Sequence, residues 1–320
     1  MTLEHRFMLC GDIHVRDTVP RFRTDDYTAA MLKKIGFIHS RALRDHCNVL
    51  IYPGDITDSQ RLSNRMFYLI INLLKSNNTI VNNFGVFGQH DLRYWTNHWE
   101  SALAVLEAAG AIKLLRSDMG PWHLPSRTGD PTEIYLYGCG WNEEIPRIKH
   151  MGEDLRNVLI IHRLFSTKAL YPGDDNYIDA KGFLKNTNWD LVVAGDNHEH
   201  FVVTHNDRTL VNCGSLMRSR VDQINHRPVA YEYHPRTRQC TLIEIPHEPI
   251  EETMDIERIQ DDKVRNEELE VFVEKVRERT EIEGLDFENN MERRLKEEDI
   301  TEEMKEIWKE VVQDASARLE

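Results

Sequence analysis

Val86-Phe87-Gly88-Gln89-His90-Asp91 reads as the end of a buried strand that hands polar side chains to a cleft. A short apolar run closes on glycine, and an amide, an imidazole and a carboxylate follow, the order expected where an α/β strand stops at its carboxyl edge. Four other apolar runs end in the same way. Phe7–Cys10 leads into Gly11-Asp12-Ile13-His14, Val49–Tyr52 into Pro53-Gly54-Asp55, Val158–Ile161 into His162, and Leu191–Ala194 into Gly195-Asp196-Asn197-His198-Glu199-His200. In a sheet whose strands run largely one way, all five clusters land on one carboxyl edge, which makes the fold a layered α/β one.

The surrounding chain fits that frame. Further strands are expected at Phe84–Phe87, Ile134–Tyr137, Phe201–Thr204, Thr209–Cys213, Ala230–Tyr233 and Cys240–Ile245, with crossover helices in Tyr27–His46 and Leu62–Lys75. After Ala194 the strands follow closely on one another, so the second half should be rich in hairpins and the sheet mixed. Arg116–Pro131, with three prolines, reads as a surface loop.

Composition bounds the class. The 320 residues suffice for one large or two modest domains. No apolar run approaches the ~18 residues of a membrane span, and the N-terminal stretch is charged rather than signal-like, so a cytoplasmic protein with no membrane partner is expected. The five cysteines are scattered without a C-x-x-C pair, which points to reduced, buried thiols. Net charge is −14, but from Ile250 onward there are 25 acidic and 12 basic residues, leaving residues 1–249 near −1. The acidity is thus a property of the tail and does not exclude a nucleic-acid partner for the rest.

A change of character near Pro246–Pro249 divides the chain into a domain at 1–248 that carries all five polar clusters and an acidic helical region at 249–320. In the latter, Leu269, Phe272, Val273 and Val276 form one apolar helical stripe, and Ile300, Met304, Ile307, Trp308, Val311, Val312, Ala315 and Leu319 a second. A small bundle packed on its own domain, a reduced cap and a partner-docking surface all fit these stripes.

Singly, each polar cluster is weak: Asp12 and His14 fit an ordinary turn, Asp55 a helix cap, His162 a core histidine. Together they offer imidazole, carboxylate and amide donors with no thiolate. That mixture suits hard or borderline divalent cations, Mn²⁺ above all, with Fe²⁺, Mg²⁺ and Zn²⁺ as alternatives.

The ordered set D-x-H, G-D, G-N-H-D, lone H, G-H-x-H resembles that of the calcineurin-like metallophosphoesterases, over residues 7–218 of this chain. Gly54-Asp55-Ile56-Thr57-Asp58-Ser59 lacks the arginine-bearing continuation of the protein phosphatases, and Asp91 stands where those enzymes have glutamate. With Gly214-Ser215-Leu216-Met217-Arg218, the chain is similar to the nuclease subunit of SbcCD-type DNA repair exonucleases, including phage versions. The resemblance implies a layered metallophosphoesterase fold with mixed β-sheets flanked by helices. It makes Asp12, His14, Asp55, Gln89, His162, Asp196 and His198 ligands of two divalent metal ions, with Asp55 bridging. Gln89 replaces the family's asparagine, and Asp196 a histidine. A two-residue slip would use His198 and His200 as the last ligands instead. His90 becomes the catalytic histidine, with Asp91 orienting its ring, while Asp58 either caps a helix or meets substrate.

Two cations ~3.5–4 Å apart meet both needs of phosphodiester hydrolysis, an activated water and relief of transition-state charge. The expected function is therefore a two-metal DNA nuclease within a DNA repair or recombination exonuclease complex. A stand-alone phosphoesterase for nucleotides or other small phosphate esters is the alternative, and a scaffold without turnover a third reading. The implied partners are DNA, a coiled-coil SbcC-type ATPase and a second copy of the chain. Arg16, Arg21, Arg23, Arg61, Arg65, Arg93, Arg163, Arg218 and Arg220 are the candidate DNA-tracking cations.

Overall fold

The structure is a computed structural model and describes residues 4–76, 80–92, 98–169, 176–220 and 223–260. Arg93 and the apolar stripes of the tail lie outside the described residues. The chain divides into two compact units, Met1–Asp255 and Ile256–Glu320.

In chain order the elements are β1 (Phe7–Leu9), α1 (Tyr27–Arg44), β2 (Val49–Tyr52), α2 (Asn64–Lys75), β3 (Asn82–Gly85), α3 (Ala102–Ala108), β4 (Lys113–Leu114), β5 (Trp122–Leu124), β6 (Glu133–Cys139), β7 (Leu155–His162), β8 (Phe165–Ser166), β9 (Ile178–Asp179), α4 (Ala180–Lys185), β10 (Leu191–Gly195), β11 (Phe201–His205), β12 (Arg208–Asn212), β13 (Val229–His234), β14 (Gln239–Glu244) and α5 (Ile250–Thr253). They build two six-stranded mixed sheets, ordered β14-β13-β1-β2-β3-β4 and β11-β12-β10-β7-β6-β5, and a small parallel pair β8-β9. In the first, β1 to β4 are mutually parallel and β13 and β14 add antiparallel. In the second, β12, β10, β7 and β6 are parallel between antiparallel edges β11 and β5.

Strand periodicity explains the layering. Phe7, Leu9, Val49 and Ile51 point inward and meet Ile134, Leu136, Val158, Ile160, Leu191 and Val193 of the other sheet, forming the central core. The alternate residues Met8, Cys10, Leu50 and Tyr52 face outward onto Met31, Ile35 and Ile38 of α1 and Met66, Ile70 and Leu74 of α2. Tyr137, Leu159, Ile161, Val192 and Ala194 face Ala180 and Leu184 of α4 on the far side. The result is helix, sheet, sheet, helix, with the parallel strands of both sheets ending at a common edge.

Two expectations shift. The third strand ends at Gly85 because its pairing with β2 stops at Tyr52 opposite Gly85, and the chain beyond is held instead by Trp141 N–H donating to Phe87 O at 2.8 Å. The segment Arg116–Pro131 contains β5, an edge strand whose three residues fit between Pro121 and Pro125, so that neither proline has to donate to the ladder.

Candidate metal centre

The strand ends are tied to one another by backbone before any side chain acts. Ile13 and His14 both donate their N–H to Asp55 O, at 3.1 and 2.9 Å, so the turns after β1 and β2 form one unit. His14, Asp55 and Asp196 all hold positive φ, at 52°, 44° and 79°. Non-glycine residues in that region cost about 1 kcal/mol or more each, and such strain persists where surroundings enforce it, commonly at functional sites. Gly88 permits the close approach of the third turn: a Cβ there would lie 2.1 Å from Asp55 Oδ1 and 2.3 Å from Asp55 N.

Asp55 Oδ2 is the geometric hub. His162 Nε2 lies 3.5 Å from it, His14 Nε2 3.9 Å and His90 Nε2 4.0 Å. His14 Nε2 faces His198 Nε2 at 3.3 Å, and His198 Nε2 stands 4.0 Å from Asp12 Oδ2. Asp12, His14 and His198 each bring a donor atom into one group, and His14, Asp58 and His90 into another, with all atoms of a group within 4.8 Å. On the other side of Asp55, Gln89 Nε2 donates to Asp196 Oδ1 at 2.8 Å, and Asp196 N–H donates to Asp12 Oδ2 at 2.9 Å.

The donor atoms fit divalent cations. Asp12 Oδ1, Asp55 Oδ2, Gln89 Oε1, His162 Nε2 and His14 Nδ1 are buried without a hydrogen-bond partner, although such atoms are ordinarily paired. All five belong to residues expected as ligands. Burial pushes the Asp12 carboxyl well above the usual carboxylate range. Burial also opposes the charge on Asp55, but His162, His14 and His90 overcome it and hold that carboxyl well below its ordinary value. Desolvation lowers His162, yet Asp55, Asp12 and Asp196 raise it to about 10, whereas burial takes His14 down to about 3. The buried carboxylates thus draw positive charge into the pocket, which in the protein alone shows in the raised Asp12 carboxyl and the raised His162 imidazole. Oxygen and imidazole donors without thiolate are the set that a hard or borderline dication satisfies.

His90 and Asp91 follow one another but face opposite ways. His90 is about one-third exposed, its N–H donates to Asp55 Oδ1 at 2.9 Å, and its Nδ1 meets Asp58 O at 3.2 Å. Asp91 is fully buried and accepts from Thr57 N–H at 2.7 Å, Thr57 O–H at 2.9 Å, Gly88 N–H at 2.9 Å and Ile56 N–H at 3.3 Å. The expectation that Asp91 orients the His90 ring is corrected: the Asp58 carbonyl does so, and Asp91 clamps the second turn to the third.

Residues 5–200 match the model of the calcineurin-like phosphoesterase family. The chain belongs to the calcineurin-like phosphoesterases. It is accordingly a metallophosphoesterase, and the clustered side chains are its candidate ligands for divalent metals. No curated protein matches the chain. Among solved structures, it is similar to one described as a novel archaeal phosphodiesterase, at 12% identity and a TM-score of 0.38, over 75% of this chain and 99% of that one.

Within this family site the structure brings together Asp12, His14, Asp55, Gln89, His90, His162, Asp196 and His198. His200, the ligand of the slipped alignment, instead meets the Tyr231 hydroxyl through Nδ1 at 3.0 Å. Two further contributors stand beside these residues, Asp58, expected as a helix cap or a substrate contact, and Gln223, which was not foreseen. The Asp58 carboxylate lies 3.6 Å from His14 Nδ1 and 3.3 Å from Arg16, and Gln223 Nε2 stands 3.2 Å from His198 Nδ1. Asp58 was visible three residues beyond Asp55, but nothing local marks Gln223, which arrives through tertiary packing.

Several expected DNA-tracking arginines are internal. Arg23 is bound by Asp25 at 2.6 Å and donates to Arg218 O, while Arg218 donates to His226 O at 2.8 Å and Glu248 O at 3.1 Å. Arg163 donates to Glu143 O. These three serve the fold, which corrects their assignment to a DNA path; Arg61, Arg65 and Arg220 are exposed.

Proposed function

We propose that the chain is a two-metal DNA nuclease that hydrolyses phosphodiesters with water as the nucleophile, working as the nuclease subunit of a repair or recombination exonuclease. The observation that carries the reading is the place of Gly214–Arg218, the segment similar to the nuclease branch. Asp12 N–H donates to Gly214 O at 3.1 Å, Leu216 N–H to Asp12 O at 2.8 Å, and Ser215 N–H to His198 O at 3.2 Å. The segment is woven around two expected ligands rather than lying on a remote surface.

Asp12, His14, Asp55 and His198 would hold one ion, and Asp55, Gln89, His162 and Asp196 the other, with Mn²⁺ the proposed metal. When bound, such ions supply an activated water and neutralise charge on the phosphoryl oxygens. The protein's own work is positional. His162 and Asp55 are buried at 0% and 1% exposure, so the metal side is closed to bulk water, and the substrate side opens where His90 is exposed. Facing a carbonyl, His90 Nδ1 keeps its proton, so the proton given to the leaving oxygen is the Nε2 proton of the imidazolium form, and its loss leaves the neutral ring still bonded to the Asp58 carbonyl.

Purified protein with Mn²⁺ is tested on end-labelled duplex DNA, single-stranded DNA and bis(p-nitrophenyl) phosphate, with His90→Ala as control. Mn²⁺-dependent loss of DNA label that His90→Ala abolishes is the expected result. Cleavage of the small ester alone would discard the nuclease reading in favour of a stand-alone phosphoesterase. The resemblance further supplies a coiled-coil ATPase partner for the acidic C-terminal region and a homodimer of the catalytic unit. Truncation after Gln260 is expected to abolish ATPase co-purification and to leave Mn²⁺ binding intact; retained co-purification refutes a docking role for that region.

A further inference from the structure

Next to the metal centre is a cavity of about 370 Å³, lined by His198, Glu199, His200, Gln223, Asn225, His226 and Arg227. One imidazole separates the two spaces. His198 turns Nε2 toward Asp12 and His14, and Nδ1 toward Gln223 in the cavity wall. Whatever occupies the cavity therefore lies about one ring width from the expected metal positions.

We propose that this cavity is a nucleoside subsite, which seats the base and sugar next to the scissile phosphate. The proposal rests on the phosphodiesterase reading above and narrows it to nucleotide esters. The volume is at the lower end of ligand pockets, about 300–1,000 Å³, and suits one nucleoside rather than a duplex segment.

The lining favours a heteroaromatic base over a second phosphate. His226 Nε2 meets the Ser215 carbonyl at 2.6 Å, so that nitrogen carries the proton. Burial keeps the ring neutral by lowering its pKa to about 4, which leaves Nδ1 as a hydrogen-bond acceptor. Asn225 brings an amide with both donor and acceptor, and Arg227 a planar set of donors; both residues are exposed at the rim. Acceptors mixed with donors match a base edge, whereas a phosphate offers acceptors only. The rim also carries the Glu199 carboxylate, 3.5 Å from Lys168, which disfavours a free dianion. His200 is held by the Tyr231 hydroxyl, and the imidazole faces of His200 and His226 offer flat surfaces for stacking. The Gln223 amide is committed internally, its Oε1 accepting from Ser219 N–H at 2.7 Å and Arg220 N–H at 3.1 Å, and so keeps the wall rigid.

The test compares thymidine 5′-(p-nitrophenyl phosphate), which carries a nucleoside, with bis(p-nitrophenyl) phosphate, which does not. The preference for the nucleoside ester, as the ratio of kcat/KM values, is expected to fall about tenfold in Asn225→Ala/Arg227→Ala. An equal effect on both esters, or no effect on either, overturns the subsite while leaving metal-dependent hydrolysis intact. Saturation-transfer NMR with deoxyadenosine on the metal-free full chain gives a second readout. Base protons are expected to receive saturation in the wild type and to lose it in the double variant; no transfer in the wild type overturns the proposal. Parallel assays on end-labelled DNA separate a polymer end from a free nucleotide ester as the source of the nucleoside. Hydrolysis of bis(p-nitrophenyl) phosphate without any action on DNA or the thymidine ester overturns both the subsite and the nuclease reading.

Discussion

Asp91 and His90 are consecutive, yet Asp91 is buried among backbone donors while His90 stands partly exposed where the proposed chemistry needs it. Asp91 takes four donors while fully buried, and removing a buried acceptor leaves each donor short of a partner at about 1–3 kcal/mol apiece before relaxation. Asp91→Ala is therefore expected to lower unfolding free energy by about 3 kcal/mol or more by urea titration, since a lost buried network belongs to the large-effect class. His90→Ala should change stability by less than about 1 kcal/mol and cut kcat by about 10²–10⁴, the range of general acid–base contributions. A stability loss for His90→Ala equal to that for Asp91→Ala would contradict the division. The residues that gather at the candidate metal centre were legible because glycine and polar groups closing an apolar run mark a strand's carboxyl end. The role of Asp91 was not, since adjacency in sequence says nothing of direction and neighbouring side chains commonly diverge.

At the element scale, the central strands were legible because they are buried on two faces and so read as apolar runs. What escaped is short or register-dependent: β5 between prolines, the brief α3 and α4, and the early end of β3. The turns joining the elements carry two predictions. Gly88→Ala would force a Cβ onto the Asp55 backbone and carboxylate, with no flexible side chain to yield, so Mn²⁺ binding measured by calorimetry should be lost. Gly120→Ala, at φ 78° with nothing within 4 Å, should cost only about 1 kcal/mol of backbone strain and leave metal binding unchanged. A Gly88→Ala protein that binds Mn²⁺ normally would show that the turns are not locked together. Lys34 on α1 ties that helix to the Gly214–Arg218 segment by donating to Leu216 O at 3.1 Å, and burial lowers its pKa to about 7. Between pH 7 and about 10 the unfolded chain holds this proton and the folded chain does not, so stability gains with rising pH across that window. Relative to Lys34→Met, the wild type should gain on the order of 1 kcal/mol or more from pH 7 to pH 10 in urea midpoints, and a constant difference would place Lys34 in solvent.

For the whole molecule, the helix–sheet–sheet–helix stack serves to bring parallel strand ends of two sheets to one edge, where each side chain alone would be an ordinary turn residue. Combination is what made the site legible: five clusters in order implied a common edge, while the cavity beside His198 depends on Gln223, Asn225 and Arg227, which no motif connects to it. Three carboxylates around a buried histidine also make the metal-free site a source of repulsion. Mn²⁺ at 100 times its Kd should therefore stabilise the fold by about 2.7 kcal/mol for each site, seen as a rise in Tm that a chelator reverses. The most direct measurement is a calorimetric titration of the chelated, metal-free chain with Mn²⁺, on the wild type and on Asp55→Asn. Two equivalents bound by the wild type, and fewer than two by Asp55→Asn, are the expected results, because Asp55 Oδ2 stands between the two ligand sets. Binding of one ion or none by the wild type, or two by Asp55→Asn with undiminished affinity, would contradict a two-metal centre built around Asp55.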